Sequence, residues 1–412
     1  MDKNQVEYYL KKDHKKELEL ARERVSEVTK PTPLIYSDFY SGEHDCEVYI
    51  KPENLQTTGS FKIRGAYNKI AALGKDEIAK GIISASAGNH AQGVAFSAEK
   101  RGVPATIVMP NITPLLKVDA TKAYGANVLL YGDVYDESYN KAIEVSEQND
   151  MTFIHPFDDY DVLVGQGTIG FEILEELPDV DEILVPIGGG GLISGLLLSI
   201  KTLNPNVKVV GVIPEGAQAI KDSLKVGHAV RANKIQTCAE GVAVKQPGDL
   251  TFSIIEKHVD DIITVSEKDI MENILLMMEK HKLVTETAGV VALAGVKKRA
   301  EKGKKIVCLI SGGNIDTVTI SSIVEQGMIS RGRIMCFSVE LPDKPGQLVQ
   351  VATLLAREGA NVIELVHNQF KALDRFSDKV ALEVTVETNG AAHIDKVLAA
   401  LAEENFLVRR IY

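Results

Sequence analysis

Short apolar runs alternate with longer helical patterns through most of this chain, and this alternation restricts the fold more than any other feature of the sequence. The intervening stretches, such as residues 91–101 and 113–124, repeat apolar side chains at helical spacing. Strands that alternate with helices predict an α/β fold with a parallel sheet covered on both faces. Ligands then bind beyond the carboxyl ends of the strands. The apolar runs are residues 47–50, 81–84, 105–109, 127–131, 183–187, 207–213, 262–265 and 305–310.

Chain length and charge limit the number of domains and the class of ligand. With 412 residues the chain exceeds one ordinary hydrophobic core, so we expect two or three domains. The formal net charge of −11 disfavours a nucleic acid or an anionic membrane as a partner, because neither offers a countercharge. Small metabolites are therefore the expected ligands.

The N-terminal segment, one long uncharged run and the cysteine positions indicate the cellular compartment of the protein. Residues 1–25 are charged throughout and contain no apolar core of a secretory signal. Residues 183–200 carry no charge, but Pro186 and five glycines favour a buried strand, turn and helix over a membrane span. The cysteines have the spacing of neither a metal site nor a disulfide framework, so we predict no metal centre and a cytoplasmic protein. They are Cys46, Cys238, Cys308 and Cys336.

The last 80 or so residues follow a different pattern. A mixed Gly, Ser and Arg stretch at residues 325–333 indicates a linker. Beyond it, strand and helix patterns come in the order β-α-β-β-α-β, which is typical of a ferredoxin-like domain. We therefore predict one domain over residues 1–330, with a smaller subdomain inserted at about residues 50–155, and a second domain over residues 331–412.

Lys62 is the first candidate for catalysis. It follows the apolar run 47–50 at the point where a helical pattern begins, so its amine is expected near the positively polarised end of a helix. A lysine whose pKa is lowered there can attack a carbonyl to form a Schiff base. The segment alone is equally compatible with a surface lysine.

Three other junctions between a strand and a helix carry polar or side-chain-free segments. Gly188, Gly189, Gly190 and Gly191 would let a phosphate approach the backbone closely, although a flexible turn has the same composition. The segment from Ser84 to His90 could receive a carboxylate, or it could simply cap a helix. Ser311, in Ser-Gly-Gly-Asn, could face a heterocyclic nitrogen or form a plain turn.

An amine, a phosphate cradle, a carboxylate site and a hydroxyl at four strand ends are together the parts of a pyridoxal 5′-phosphate site. TGSFKIRGA, SASAGNHAQGVA, VPIGGGGLISG and ISGGNID, in this order, resemble the fold type II pyridoxal-phosphate enzymes, which have two α/β subdomains with parallel or mixed sheets. Within them the chain is similar to the threonine ammonia-lyases over about residues 20–325. The tail CFSVELPDKPGQLVQVATLLAREGANVIEL resembles an ACT domain, which in this family binds a regulatory amino acid.

The resemblance implies a role for each motif residue. Lys62 would bind the cofactor covalently and then act as base at the α-carbon of the substrate, while Phe61 packs against the ring. Asn89 would bond the ring hydroxyl, and Ser311 the pyridine nitrogen. Glu286 would lie near the ring or serve only as a helix-terminal charge. The phosphate would be bound by Gly188, Gly189, Gly190, Gly191 and Leu192, and the substrate carboxylate by Ser86, Ala87, Gly88, Asn89 and His90.

The implied reaction is the β-elimination and deamination of L-threonine to 2-oxobutanoate and ammonia, with L-serine to pyruvate as a side activity. A neutral serine at the pyridine nitrogen makes the ring a weaker electron sink, which favours elimination over transamination. The leaving hydroxyl needs a proton, from the cofactor phosphate or from a water. Such an enzyme is expected at the first step of isoleucine biosynthesis, as a homo-oligomer, dimer or tetramer, regulated by L-isoleucine or L-valine near Gly346 and Asn361.

Two alternatives remain at this point. A serine racemase or serine dehydratase shares the catalytic motifs, but the racemases of this kind carry a second serine where this chain has Ala87. Their metal-binding carboxylates would fall at Ile213 and Ala219, whose side chains cannot ligate a metal. A non-catalytic amino-acid sensor would use only the ACT-like tail, and the retention of Lys62 speaks against it.

Overall fold

The computed structural model describes residues 1–368 and 379–412 and divides into two compact units, Met1–Ile315 and Asp316–Tyr412. The second unit begins with a helix over Thr317–Ser330. The domain boundary that the sequence predicts, after residue 330, lies at the end of this helix. The division into domains at that residue remains a prediction.

The strands of the two units form three sheets. In chain order they are β1 (Ile35–Tyr36), β2 (Glu47–Pro52), β3 (Ile82–Ala85), β4 (Ala105–Met109), β5 (Asn127–Leu130), β6 (Thr152–Phe153), β7 (Glu182–Pro186), β8 (Lys208–Pro214), β9 (Asp261–Val265), β10 (Lys305–Ile310), β11 (Ile334–Pro342), β12 (Asn361–Asn368), β13 (Lys379–Glu387) and β14 (Val408–Arg410).

Helices fill the intervals between the strands. The α-helices are α1 (Lys3–Leu10), α2 (His14–Val25), α3 (Asp38–His44), α4 (Lys62–Ala72), α5 (Lys75–Ile78), α6 (Asn89–Arg101), α7 (Leu115–Lys122), α8 (Tyr135–Asn149), α9 (Tyr160–Glu176), α10 (Gly191–Leu203), α11 (Ala219–Val226), α12 (Asp249–His258), α13 (Glu267–Leu276), α14 (Val291–Ala294), α15 (Val296–Arg299), α16 (Thr317–Ser330), α17 (Gln347–Glu358) and α18 (Ala391–Glu403).

The central sheet of the first unit has the strand order β1-β2-β10-β7-β8-β9. All neighbours are parallel except β1, which pairs antiparallel with β2. Every residue of β7 is buried, and so is every residue of β10 except Lys305. Strands buried on both faces read as continuous apolar runs, which confirms the predicted α/β fold.

A second, smaller parallel sheet lies in the same unit, with the order β5-β4-β3-β6. Its strands come from residues 82–153, inside the segment for which we predict an inserted subdomain. The core of this sheet is separate, and Val94, Ile107 and Ile154 are fully buried in it.

Helix α9 is the longest of the elements that the sequence patterns did not specify. It packs against α4 and α10 through residues that are mostly buried, and glycines allow the close approach. A methyl group at Gly165 would lie 2.7 Å from the carbonyl oxygen of Arg64 and from the Cα of Gly65. Helices α4 and α9 therefore cross in backbone contact, directly after Lys62.

Two helical segments near the end of the first unit are interrupted. Helix α13 is followed by a π-helical turn over Met277–His281, and Gly295 separates α14 from α15. The uncharged run at residues 183–200 forms β7, a glycine turn and α10. In the described part of the chain, every helix is too short or too polar to cross a membrane.

The second unit has an antiparallel sheet with the order β12-β13-β11-β14, and α17 and α18 pack together beside it. Val351 and Leu355 of α17 and Val397 of α18 share one core with Phe337 of β11. The element order β-α-β-β-α-β confirms the predicted ferredoxin-like arrangement.

Candidate active site

Four loops at the carboxyl ends of parallel strands surround a cavity of about 680 Å³ in the first unit. The loops follow β2, β7 and β10 of the central sheet and β3 of the smaller sheet. Strands β2, β10 and β7 are consecutive neighbours, so three of the four predicted motifs meet at one edge. This is the location that the parallel-sheet rule predicts for a ligand.

Lys62 is the first residue of α4 and lines this cavity. Its Nζ donates a hydrogen bond to the carbonyl oxygen of Pro156 at 2.8 Å and lies 5.2 Å from the centroid of the Phe61 ring. Burial lowers the pKa of the Lys62 amine to about 8, although the nearby carboxyl of Glu286 acts in the opposite direction. The cause of the low pKa is thus mainly burial and not the helix end that the sequence suggested.

The glycine junction is a rigid part of the cavity wall. Gly190 has a φ of +94°, a backbone conformation that glycine adopts without strain, and α10 begins at the next residue. A methyl group at Gly189 would lie 2.5 Å from ring carbons of Phe157. The hydroxyl of Thr251 donates to the carbonyl oxygen of Gly189 at 2.7 Å, so this is not a flexible turn. Leu192 lies in the first turn of α10 and lines the cavity.

The segment after β3 places backbone groups on the cavity. Helix α6 begins at Asn89, and its N-cap is Gly88, which has no side chain to cap the helix. The Ser86 hydroxyl accepts a hydrogen bond from the Gly88 amide at 3.2 Å. Ser86, Ala87 and Gly88 line the cavity, so the segment does more than cap a helix.

The side chain of His90 turns into the protein. It is 3% exposed, and its Nε2 lies 3.2 Å from the carbonyl oxygen of Ile154, which can only accept a hydrogen bond. Nε2 therefore carries the hydrogen and Nδ1 is an acceptor, which repels a carboxylate. Burial holds the pKa of this imidazole well below its usual value, so the ring is neutral. Any contact of His90 with a carboxylate must use its backbone N–H.

Ser311 and Glu286 also line the cavity. The Ser311 hydroxyl makes only a long hydrogen bond, 3.3 Å to the carbonyl oxygen of Ala288, and remains available to a ligand. The Glu286 carboxylate accepts a hydrogen bond from Nδ2 of Asn89 at 2.7 Å. Burial raises the pKa of Glu286 to about 7, which the Asn89 hydrogen bond partly offsets. Glu286 is therefore part of the site and not a free helix-terminal charge.

The sequence patterns missed the segment of residues 155–157 on the cavity wall. Nδ1 of His155 accepts a hydrogen bond from the Asp158 amide at 2.8 Å, and burial lowers the pKa of His155 to about 3. Pro156 binds the Lys62 amine and Phe157 covers Gly189. The only sequence signal was a His-Pro-Phe segment after an apolar pair, which has no periodicity.

Ion pairs cross the mouth of the cavity, from the smaller sheet's helices to loops of the central sheet. Lys117 of α7 lies 3.5 Å from the carboxylate of Glu240, and Asp136 of α8 pairs with Arg231 and, at 3.2 Å, with Lys245. All five residues line the cavity. The entrance is thus bounded by charges of both signs.

The residues of the cavity fit pyridoxal 5′-phosphate. A methyl group at Gly188 would lie 2.9 Å from the Cα of Val242 and one at Gly191 2.9 Å from the Cβ of Phe157, so this wall accepts only backbone. Free amides at the start of α10 suit a phosphate. The Lys62 amine, the Asn89 amide and the Ser311 hydroxyl provide the groups that an aldehyde, a ring hydroxyl and a pyridine nitrogen require.

A second cavity, of about 290 Å³, lies within the C-terminal unit at the turn between β11 and α17. Gly346 lines it, together with Asp343, Lys344 and His367. Asn361 does not, because the sheet register pairs it with Glu387, which also pairs with Ile334 at the far end of β11. Within one chain, the structure therefore does not bring Asn361 to the turn that holds Gly346.

Comparison with known proteins identifies the family. The family model described as "Pyridoxal-phosphate dependent enzyme" matches residues 25–312. The L-threonine ammonia-lyase of Thermotoga maritima is 44% identical over 390 residues, which are 94% of this chain and 97% of that protein.

Solved structures agree with this assignment. The processed form of threonine deaminase isoform 2 from Solanum lycopersicum is 38% identical, with a TM-score of 0.74 over 79% of this chain and 94% of that chain. The serine racemase of Dictyostelium discoideum is 36% identical, with a TM-score of 0.69 over 73% and 98%. The chain therefore belongs to the pyridoxal-phosphate-dependent enzymes of fold type II and, within them, to the L-threonine ammonia-lyase family.

Proposed function

We propose that this protein converts L-threonine to 2-oxobutanoate and ammonia, with L-serine to pyruvate as a side activity. One observation carries the proposal: a buried lysine amine, Lys62, lines the same cavity as the side-chain-free glycine junction, and Ala87 leaves no serine hydroxyl as a second base at its position. The L-threonine ammonia-lyases of Thermotoga maritima and Geobacter sulfurreducens are each similar to this chain over 94% of its length, which supports the proposal.

The residues of the cavity divide into three tasks. The backbone of Gly188–Gly191 with the amide of Leu192 binds the cofactor phosphate at the start of α10, where N–H donors and the helix dipole favour an anion. Asn89 donates to the ring oxygen, and Ser311 offers its hydroxyl to the ring nitrogen without adding a charge. Phe61 packs beside the Lys62 amine.

The substrate carboxylate is held by the backbone of the segment from Ser86 to His90. Its amides lie at the start of α6, which again favours an anion. The neutral, inward-turned His90 ring contributes no charge there, so the hydroxyl of Ser86 and the N–H groups carry the binding.

Lys62 takes the proton from the α-carbon of the bound substrate. When bound, pyridoxal 5′-phosphate supplies an electron-accepting ring that stabilises negative charge at this carbon. With a pKa of about 8, a substantial fraction of Lys62 is neutral near pH 7.5 and able to accept a proton. The Pro156 carbonyl accepts a hydrogen bond from this amine and holds it at the cavity wall.

The experiment that tests this function is an assay of 2-oxo acid formation from L-threonine and from L-serine by the cofactor-loaded protein. We expect 2-oxobutanoate and ammonia in equal amounts from threonine, and slower pyruvate formation from serine. A protein that binds the cofactor but releases neither 2-oxo acid would refute the proposal.

A serine racemase is the second candidate, because the Dictyostelium discoideum racemase has a similar structure. Ala87 stands where a racemase would need its second base, and Ile213 is fully buried in the core with no group that can ligate a metal. Chiral analysis of L-serine incubated with the protein separates the two functions, since only a racemase forms D-serine faster than pyruvate.

We propose further that the C-terminal unit is a regulatory ACT domain that binds L-isoleucine or L-valine, and that the enzyme serves isoleucine biosynthesis. The cavity beside Gly346 supports this, because it combines Asp343, Lys344 and apolar Leu348, groups that suit a small branched amino acid. Titrating threonine with and without each effector tests the assignment. An unchanged substrate affinity and an unchanged oligomer would leave the unit without a regulatory role.

We also propose a homo-oligomer, a dimer or a tetramer, in the cytoplasm. Strand β12 is an edge strand of its sheet, and Val362, Ile363, Leu365 and Val366 are each more than a third exposed on it. An exposed apolar edge strand pairs readily with a second copy. Substituting Ile363→Lys should reduce the molar mass in light scattering, whereas the control Val226→Lys on α11 should not. The four cysteines are free thiols, which suits a reducing compartment.

A further inference from the structure

Asn314 is a residue of the Ser-Gly-Gly-Asn junction to which the mechanism gives no task. Its Nδ2 donates two hydrogen bonds of 2.8 Å, one to Oδ1 of Asn89 and one to the carbonyl oxygen of Thr58. The bond to Asn89 joins residues 225 positions apart in the chain. It reaches the one side chain that we assign to the oxygen of the cofactor ring.

An asparagine amide has two ends of nearly the same size but opposite hydrogen-bonding character, so its partners decide which way it faces. Oδ1 of Asn89 is fixed by the Asn314 donor, and Nδ2 of Asn89 is fixed by the Glu286 acceptor at 2.7 Å. Rotating the amide by half a turn would set two donors against each other at Asn314 and two acceptors against each other at Glu286. Asn314 and Glu286 thus specify the same orientation.

Glu286 uses one N–H group of the Asn89 amide and leaves the second free for a ligand. The second N–H is available to the cavity only while the oxygen end of the amide is held away from it. Asn314 supplies that restraint, because its own amide is held by the carbonyl oxygen of Thr58 in the loop at residues 58–60.

We infer that Asn314 is a positioning residue for the cofactor: it orients the Asn89 amide so that the N–H groups of Asn89 face Glu286 and the oxygen of the bound ring. This inference rests on the proposed place of the ring beside Asn89, and it does not depend on which amino acid the enzyme deaminates.

A purely structural role for Asn314 would be to tie the loop at residues 58–61 to the loop at residues 311–314. Backbone bonds already do so, from Gly313 N–H to the Gly59 carbonyl at 2.9 Å and from Phe61 N–H to the Ser311 carbonyl at 3.1 Å. Ser60 and Gly312 form a further antiparallel bridge. These backbone bonds can replace the contact of Asn314 with the loop at residues 58–61, but they cannot replace its contact with Asn89.

A double-mutant cycle on cofactor affinity tests the inference. The variants are Asn89→Ala, Asn314→Ala and the double substitution, and the dissociation constant of pyridoxal 5′-phosphate is measured by titrating the cofactor-free proteins and following absorbance. We expect each single variant to weaken binding about three- to tenfold, since each loses an oriented hydrogen bond. The double variant should bind as weakly as Asn89→Ala alone, because Asn314 then has no amide to orient.

Asn54→Ala is the matched control. Nδ2 of Asn54 donates to the carbonyl oxygen of Val284 at 2.9 Å, so this substitution also removes an asparagine-to-backbone bond beside Gly313, but not one to Asn89. Its cofactor affinity should stay within about twofold of the unmodified protein. If Asn314→Ala fails to fold, Asn314→Asp keeps the side-chain size, removes the donor, and should weaken binding to the same extent.

Additive losses in the double variant would overturn the inference, and so would an unchanged affinity in Asn314→Ala or a loss in Asn54→Ala equal to that in Asn314→Ala. Failure of the proposed function looks different: the protein would bind the cofactor with the expected pattern among the variants but release no 2-oxo acid.

Discussion

At the scale of single residues, the chemistry of the site depends on two titratable groups that burial pushes toward neutrality from opposite sides. Burial lowers the pKa of Lys62 to about 8 and raises that of Glu286 to about 7. A base and an acid whose pKa values lie near the working pH exchange protons at little cost in free energy. Burial, which removes water from these two side chains, is therefore the main cause of both pKa shifts.

Glu286→Gln should stabilise the cofactor-free protein at pH 8. The pKa of Glu286 is 4.5 unperturbed and about 7 in the folded protein, so the folded state binds more protons between these values and its stability falls as pH rises through them. Glutamine cannot ionise and keeps an oxygen for the Asn89 donor. We expect the free energy of unfolding of the variant to exceed that of the unmodified protein by about 1–3 kcal/mol at pH 8, and to equal it below pH 4.5.

Denaturant unfolding at pH 4.5, 6 and 8 measures this difference, with the exposed Glu256→Gln on α12 as the control that shows none. If the free energies of unfolding of Glu286→Gln and of the unmodified protein differed by the same amount at every pH, the assignment of a raised pKa to Glu286 would be contradicted.

The sequence points to Lys62, Asn89 and Ser311 because each lies in a segment that joins a strand to a helix and that resembles a motif of the fold type II enzymes, and parallel sheets place such segments at the edge where ligands bind. It could not show that Glu286 bonds Asn89, since these residues are 197 positions apart and only the packing of α6 against the loop after α13 joins them. It also could not show that His90 turns inward, because the carbonyl of Ile154 that attracts the ring carries no sequence signal.

At the scale of elements, the helix that carries Lys62 is held by a buried ionic cluster. The Arg64 guanidinium is fully buried and binds both oxygens of Glu53 at 2.8 Å and both oxygens of Glu172, at 2.6 and 3.0 Å. Glu172 also binds the buried Lys51 amine at 2.6 Å. The cluster joins α4, α9 and β2, with two charges of each sign.

Arg64→Leu should destabilise the protein by about 3–5 kcal/mol, because it leaves the carboxylates of Glu53 and Glu172 in the interior without their main partner. The matched control is Lys225→Ala, which removes an exposed pair with Asp222 and should cost less than about 1 kcal/mol. Urea unfolding of the cofactor-free proteins compares them. An equal loss of unfolding free energy in Arg64→Leu and Lys225→Ala would show that the ionic cluster does not stabilise α4.

Gly189→Ala should weaken cofactor binding more than it destabilises the fold. The new methyl group would lie 2.5 Å from the Phe157 ring, which must move from the cavity wall, and the phosphate cradle widens. We expect a loss of about tenfold or more in affinity for pyridoxal 5′-phosphate, measured by titration of the cofactor-free protein.

Gly42→Ala serves as the control for this substitution, since nothing lies within 4 Å of its added methyl group and α3 favours alanine over glycine. An unchanged affinity in Gly189→Ala would mean that the glycine junction does not bind the phosphate.

Element boundaries follow from sequence only where an apolar run is bounded by polar residues. Each of the eight predicted apolar runs of the first unit corresponds to a strand, and the β-α-β-β-α-β order of the second unit is confirmed, whereas the two-residue strands β1 and β6 were not predicted. Helix α9 was not specified because it is buried on most sides and has little polar face to produce a helical period. The π-helical turn at Met277–His281 depends on packing in the same way, since His281 stacks on Tyr40 and bonds Ser37.

At the scale of the whole molecule, the chain joins two units with different architectures and separate cavities. The first unit is an α/β fold in which the loops after β2, β3, β7 and β10 line one cavity. The second, in its described residues, is a small antiparallel sheet with three helices and a cavity of about 290 Å³. The feedback regulation that we propose would use this division, because it needs two distinct sites on one chain.

The measurement that tests the central claim most directly is threonine turnover by the cofactor-loaded protein and by its Lys62→Ala variant, read as 2-oxobutanoate and ammonia. We predict equal amounts of both products from the unmodified protein and a loss of turnover of about a hundredfold or more in the variant, the contribution of a positioned base. Turnover of Lys62→Ala at the rate of the unmodified protein would contradict the account.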